Sequence, residues 1–288
     1  MPPLIVILGE TASGKSALAL DLAQQIGGEI ICADSRTIYT GMDIGTAKPS
    51  VAEQKLVRHH LLDVVEPNES FNVAQFKMLA VNAINDIVAR GKIPLLVGGT
   101  GLYIESVLFD FQFRNEVDTA LRAQYERLSV EELQLRINKL GYLMPENNKN
   151  KRYLIRTLET KGLKSERAEL RMNTLVLGKH IERETLGQRI VERIDAMLDA
   201  GFVQECRQLV EQFGEDAPGL NAPGYKAFVP YLRGECSLEQ ARAQFVLNDL
   251  HLAKKQRTWF RRKIYQNVIQ YVINREQAVD LVTTFLNK

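Results

Sequence analysis

The sequence predicts an α/β fold, a parallel sheet flanked by helices and interrupted by an all-helical insertion. Three observations lead there. An unbroken apolar run, Leu4 to Leu8, ends in a glycine-rich turn that opens an amphipathic helix. Strand-like and helix-like segments then alternate as far as Gly101. Between residues 115 and 171 the strand character disappears and the chain becomes polar and helical.

Each element has its own reason. Leu4 to Leu8 reads as a parallel strand buried on both faces, because no polar residue interrupts it. In the next helix Leu18, Ala19, Leu22, Ala23 and Ile26 share a face, and Gly27 and Gly28 stop it. Glu29 to Ala33 is a second strand, with Asp34 at its C-terminal end. Residues 40–72 hold turn formers and little periodicity, so mostly loop is expected. A helix from Val73 to Arg90 carries the stripe Phe76, Leu79, Ala80, Ala83, Ile84, Ile87 and Val88, and Gly91 closes it. Ile93 to Val97 is a third strand, ending in Gly98-Gly99-Thr100-Gly101. This alternation implies a right-handed parallel sheet with its site at the strand C-terminal ends. Strand-like sequence returns at Thr174 to Leu177. The expected division is therefore a core of 1–113 and 173–288 around a helical insertion, 114–172. The remainder reads as helical, at 184–200, at 202–213 and from Leu238 to about Tyr271.

The chain has 288 residues, enough for one large domain or two modest ones, and a net charge of +2. Bulk charge therefore argues neither for nor against nucleic acid, and local distribution must decide. One segment is biased: Lys149, Lys151, Arg152, Arg156, Lys161, Lys164, Arg167 and Arg171 face only Glu159, Glu166 and Glu169. No apolar run approaches the ~18 residues of a membrane span, so no membrane is expected. The N-terminal apolar run leads into a glycine motif rather than a cleavage site. Cys32, Cys206 and Cys236 lie far apart, which fits a reducing cytoplasm and gives no zinc site. His59 and His60 make no metal constellation.

Gly9-Glu10-Thr11-Ala12-Ser13-Gly14-Lys15-Ser16 matches G-x-x-x-x-G-K-[ST], after a buried strand and at the start of a helix. The fold class is therefore a P-loop NTPase-like core. In such a loop backbone N–H groups wrap phosphate oxygens, and the helix N-terminus adds positive potential. Lys15 is placed to hold phosphate charge and Ser16 to hold Mg²⁺. Most such loops bind ATP or GTP and have an acid at a neighbouring strand end. Here the third strand ends in Gly98-Gly99, and no NKxD tetrapeptide occurs. Asp34 is the one well-placed carboxylate, suited either to assist the metal or to act as a general base.

Several segments together resemble the tRNA dimethylallyltransferase family: GETASGKS from Gly9, ADSRTIYTGMDIGTAKPS from Ala33, HHLLDV from His59, VGGTGLY from Val97, GYKAF from Gly224 and AKKQRTWFRRK from Ala253. Order and spacing agree over nearly the whole chain. The resemblance implies transfer of a dimethylallyl group from dimethylallyl diphosphate to N6 of adenosine 37, in tRNAs reading codons that start with U, with Mg²⁺ as cofactor. It implies that Gly9 to Ser16 bind the diphosphate, that Asp34 is the general base on N6, that Thr100 contacts the reacting centre and that Arg193 reaches the diphosphate. Asp34, Ser35, Arg36 and Thr37 would line the acceptor site. Arg122, Arg152, Arg156, Asn221, Gly224, Tyr225 and Lys226 match positions near tRNA. Lys254, Lys255, Arg257 and Arg261, interleaved with Trp259, read as phosphate contacts beside a packing anchor. A cytoplasmic monomer is expected.

The chain also departs from that pattern. Glu10 stands where proline is usual, Thr37 for a common glutamine, Arg58 for a common proline, and Tyr153 for a frequent arginine. The start of Asn221 to Lys226 lacks a frequent arginine. The zinc-finger extension of some eukaryotic members has no counterpart, which suggests a bacterial type. Two rivals are weighed. An adenylate isopentenyltransferase acting on free AMP, ADP or ATP shares the core chemistry. A P-loop small-molecule kinase is of a different class and would use ATP, with Asp34 as base for a substrate hydroxyl. The helical insertion and the basic segment 253–263 favour tRNA over a free nucleotide, and the strand end without an acid weakens the ATP-using reading.

Overall fold

The structure is a computed structural model that describes residues 1–112, 118–163 and 167–287. The expected boundary at 113/114, and Lys164 and Glu166 of the basic stretch, lie outside the described residues. The chain separates into two compact units, Met1–Leu108 with Arg171–Lys288, and Phe109–Leu170.

The first unit begins with β1 (Leu4–Leu8), α1 (Lys15–Ile26), β2 (Gly28–Cys32), α2 (Val51–Leu56), β3 (His59–His60), α3 (Val73–Ala89), β4 (Ile93–Gly98) and α4 (Gly101–Leu108). The second unit contributes α5 (Thr119–Glu126), α6 (Val130–Lys139) and α7 (Lys151–Glu159). The first unit resumes with β5 (Thr174–Lys179), α8 (Arg183–Asp199), α9 (Phe202–Phe213), α10 (Pro223–Leu232), α11 (Leu238–Phe260), β6 (Ile269–Val272) and α12 (Arg275–Leu286). The strands form one parallel sheet in the order β3-β2-β4-β1-β5-β6.

Every residue of β1 is buried, as the unbroken apolar run requires of a strand covered on both faces. Ile5 and Ile7 pack with Leu18 and Leu22 of α1 and with Val282 of α12. A separate core of Ile190, Ile194, Phe202, Tyr225, Phe228 and Phe245 holds α8 to α11 together. The second unit has its own core, built on Leu133, Ile137, Leu154 and Ile155.

The chain leaves β2 outward towards edge strand β3, whereas it leaves β4 towards the β5 side. The ends of β2 and β4 therefore diverge, and such divergence opens a crevice at the strand C-termini. Gly98 is needed there because a Cβ would lie 2.0 Å from the Ala33 carbonyl oxygen. A Cβ on Gly99 would lie 2.3 Å from the Gln256 side-chain nitrogen. The paired glycines thus let β2 and α11 close onto the end of β4.

The structure corrects parts of the sequence reading. Residues 40–72 are mostly loop, as expected, but they also hold α2, which Ser50 caps with a capping box, and His59–His60, which pair with β2. The segment 223–232, not read as an element, is helix α10 with Pro223 in its first turn. The last long helix ends at Phe260 rather than Tyr271. Asn267 takes a left-handed φ of 65° beyond it, and β6 then covers the free edge of β5.

Candidate active site

A cavity of about 750 Å³ lies in the first unit at the C-terminal ends of the strands. The glycine loop forms one wall. Gly14 caps α1 with a left-handed φ of 86°, and Ala12 is left-handed too, so successive N–H groups turn towards the start of the helix. Thr11, Ala12, Gly14, Lys15 and Ser16 line the cavity. Gly9, Glu10 and Ser13 do not, and Ser13 is fully buried. Lys15 Nζ donates to the Glu10 carbonyl at 3.1 Å. Burial lowers the Lys15 ammonium to about 8; Arg193 lowers it further, while Asp34 and Glu10 oppose that change.

The opposite wall is the chain leaving β2. Asp34, Ser35, Arg36 and Thr37 all line the cavity. Asp34 Oδ1 accepts the Arg36 N–H at 2.8 Å, an Asx turn that holds the carboxylate at the strand end. Thr100, at the start of α4, accepts the Ser35 N–H at 3.0 Å through its hydroxyl. Its side chain therefore ties β4 to the Asp34 turn as well as facing the cavity.

Arg193 of α8 also lines the cavity and donates to Asp249 Oδ2 at 2.5 Å. Asp249 is 2% exposed. Burial raises its carboxyl above the usual range, and Arg193 pulls it back. Asp249 and Gln256 are functional candidates that the sequence reading missed. A signal was available: both are polar residues on the buried stripe Ala241, Phe245, Asp249, Ala253, Gln256 and Phe260 of α11.

The residues expected near tRNA divide into groups. Asn221, Lys226 and Lys255 line the cavity, and Lys254 and Arg261 are exposed. Four others have different surroundings. Arg257 forms a two-point ion pair with Glu10 at 2.5 and 2.6 Å, so its charge is engaged inside the protein. Trp259 lies against Gly101, with the Arg262 guanidinium 3.9 Å from its ring centre. Tyr225 is fully buried and donates its hydroxyl to Glu205 at 2.5 Å. Gly224 abuts the Phe245 ring. In the second unit Arg122 pairs with Glu126 and Glu159, Arg156 pairs with Glu159, and Arg152 is exposed.

The cavity suits Mg²⁺ of the kind that binds together with a phosphate ligand. Ser16 presents an exposed hydroxyl beside the lysine, and Asp34 is on the facing wall. No cluster of three or more His, Cys, Asp or Glu residues able to hold a metal occurs among the described residues. Mg²⁺ needs none, since it keeps water and substrate oxygens as ligands. Among the described residues no helix is long and apolar enough to cross a membrane.

Fold and site together define a P-loop α/β protein whose cation-lined cavity faces a carboxylate. The chain belongs to the IPP transferase family, whose model matches residues 37–263. It is 41% identical over 273 residues to the tRNA dimethylallyltransferase of Anoxybacillus flavithermus, spanning 91% of this chain and 88% of that one. Among solved structures it resembles the full-length tRNA isopentenylpyrophosphate transferase of Bacillus halodurans, with TM-score 0.76, 34% identity, and coverage of 100% of this chain and 96% of that one. It also resembles a eukaryotic dimethylallyltransferase acting on tRNA, with TM-score 0.85, 26% identity, and coverage of 100% of this chain and 80% of that one.

Proposed function

We propose that this protein is a tRNA dimethylallyltransferase, moving a dimethylallyl group from dimethylallyl diphosphate to N6 of adenosine 37 in tRNA. The observation that carries the reading is one cavity bounded by Lys15 on the glycine loop and by Asp34 across from it, with Thr100 fixing the Asp34 turn. A kinase cavity needs a phosphate cradle too. Here the strand end beside the cradle is Gly98-Gly99, and the carboxylate stands on the acceptor side.

An allylic C1–O bond breaks readily only when the departing diphosphate is neutralised. The loop N–H groups, the Lys15 ammonium and the Arg193 guanidinium supply fixed positive charge where that negative charge develops. Mg²⁺, held by Ser16 and the diphosphate oxygens, would add further neutralisation. The adenine N6 lone pair is delocalised into the ring and makes a weak nucleophile. As N6 bonds to C1, Asp34 takes the proton that N6 loses. The base must leave the anticodon-loop stack to reach a site inside a cavity, and Asn221, Lys226 and Lys255 stand on the cavity wall to receive the strand.

The test is incubation with Mg²⁺, labelled dimethylallyl diphosphate and unmodified tRNA bearing A36-A37-A38, with AMP and ATP in parallel. Label on tRNA is expected. Label only on the free nucleotide would point to an adenylate isopentenyltransferase, and ATP turnover without label transfer would point to a kinase.

A further inference from the structure

Glu205 of α9 lies outside the cavity, yet its carboxylate collects four hydrogen-bond donors. Oε2 accepts the N–H groups of Asp43 at 2.9 Å and Ile44 at 2.7 Å. Oε1 accepts the N–H of Gly45 at 2.9 Å and the Tyr225 hydroxyl at 2.5 Å. No cation pairs with it at salt-bridge distance among the described residues. Its charge is instead met by three consecutive backbone amides, an anion-binding turn occupied by the protein's own side chain.

That turn leads directly into the cavity wall. Gly45, Thr46 and Ala47 line the cavity beside Thr37. Packing holds the same backbone from another side: a Cβ at Gly45 would lie 2.3 Å from the Phe202 ring and 2.8 Å from the Tyr225 ring. Lys48, its side chain almost fully buried, fastens the far end of the loop by donating to the Tyr39 carbonyl at 2.9 Å and to Asp43 at 2.6 Å. Tyr225 itself lies between Asn221 and Lys226, which also line the cavity. One carboxylate thus joins two stretches of the acceptor-side wall, residues 43–47 and 221–226. Neither stretch contains the phosphate loop.

We propose that Glu205 is a positioning residue for the acceptor, setting the wall against which the nucleic acid strand rests. This rests on the tRNA-prenylation reading above. Removing the carboxylate frees three amides and a hydroxyl to turn elsewhere, and the wall loses its shape while the diphosphate cradle keeps its own. Glu205→Gln is the informative variant, because it conserves size but replaces an acceptor oxygen with an N–H₂ that faces donors. Its effect is read as tRNA kcat and KM, together with the Kd for inorganic diphosphate. The expected result is a kcat/KM for tRNA lower by about tenfold or more, mostly through KM, with the diphosphate Kd changed by less than about twofold. Tyr225→Phe, which removes only one of the four donors, is expected to give a smaller change in the same direction.

An unchanged tRNA KM in Glu205→Gln would overturn the proposal, and so would equal losses for tRNA and diphosphate. Amide hydrogen exchange on the unaltered protein gives a second readout that needs no variant to fold. Asp43, Ile44 and Gly45 are expected to be protected, and exchange at open-loop rates would count against the role. Failure of the unaltered protein to label tRNA at all would instead reject the prenylation reading, a result distinguishable from any change between variants.

Discussion

The side-chain carbonyl of Gln256 accepts the backbone N–H of Thr11 at 2.8 Å, a buried bond between residues 245 apart in the chain. An adjacent pair repeats the link, since Arg257, the residue after Gln256, grips Glu10, the residue before Thr11, through two hydrogen bonds. Helix α11 therefore fixes the entrance of the phosphate loop. The Thr11 N–H is engaged by Gln256, which leaves phosphate binding to the later loop amides and Lys15.

The first expected consequence concerns Gln256→Leu. It leaves the buried Thr11 N–H without a partner, which costs about 1–3 kcal/mol. A lower thermal midpoint is expected, together with weaker binding of inorganic diphosphate measured by calorimetry. A variant with the midpoint and the affinity of the parent would show that the link does not support the loop.

Asp34→Asn separates structure from chemistry. The asparagine carbonyl can still accept the Arg36 N–H that now goes to Asp34 Oδ1, so the turn persists. The variant cannot take a proton from N6. Single-turnover prenylation is expected to slow by about 10²–10⁴, the usual contribution of a positioned base, while tRNA binding by filter retention stays near the parent value. A parent-like rate would remove Asp34 as the base.

How much of this could be read from the sequence follows from how local each signal is. The strand, glycine turn and helix from Leu4 to Ile26 are set by short-range pattern, and the structure reproduces them closely. Asp34 was visible because a strand end followed by an acid is also a local feature. The Gln256–Thr11 and Arg193–Asp249 contacts were not legible as pairs, because each joins distant segments through side chains. Arg257 illustrates the limit well. Its neighbours in sequence are basic and point to RNA, but its partner Glu10 lies at the other end of the chain. Strand β6 was lost inside an apparent helix because Ile264, Val268, Ile269 and Val272 fit either period over so short a run. The deciding event is the left-handed turn at Asn267.

Lys15 makes diphosphate affinity pH-dependent. Its pKa in the folded protein is lowered to about 8. The unfolded chain therefore binds more protons between that value and the ordinary lysine value. This group's contribution to ligand-free stability rises with pH across that window. Binding runs the other way, because an anion needs the protonated form. Inorganic diphosphate affinity is expected to fall as pH rises through about 8. Lys15→Arg, which stays charged, is expected to lose that step. Calorimetric titration of both proteins between pH 7 and 10 checks it, with the ligand's own ionisation common to the two. Parallel curves would rule Lys15 out as the titrating group.

Arg193 and Asp249 are expected to show strong coupling. Arg193→Ala leaves a nearly buried carboxylate without its cation, at a cost of about 3 kcal/mol. Asp249→Asn in the same protein should recover part of that loss, because the uncompensated charge is gone. The carboxyl of Asp249 is raised by burial and pulled back by Arg193, so the penalty in Arg193→Ala should grow as pH rises and the acid ionises. A denaturation cycle over the four proteins measures the coupling. Simple additivity would mean that the pair is incidental to stability.

The basic segment of α11 can be divided by salt dependence. Lys254 and Lys255 are exposed, and Lys255 lines the cavity, so both are placed to meet phosphates. Each phosphate contact to a single-stranded region contributes about 0.7 to the slope of log K against log salt. Lys254→Ala with Lys255→Ala should therefore weaken tRNA binding and flatten that slope by about 1.4 if both contacts form. Arg257→Ala removes a cation from the same stretch of sequence, yet its charge is already matched by Glu10. It is expected to leave the tRNA salt slope near the parent value and to weaken inorganic diphosphate binding by loosening the loop. The two variants should thus fail in opposite assays. An Arg257→Ala protein with a flattened slope and intact diphosphate binding would mean that the ion pair opens to tRNA and that α11 grips the strand along its whole basic run.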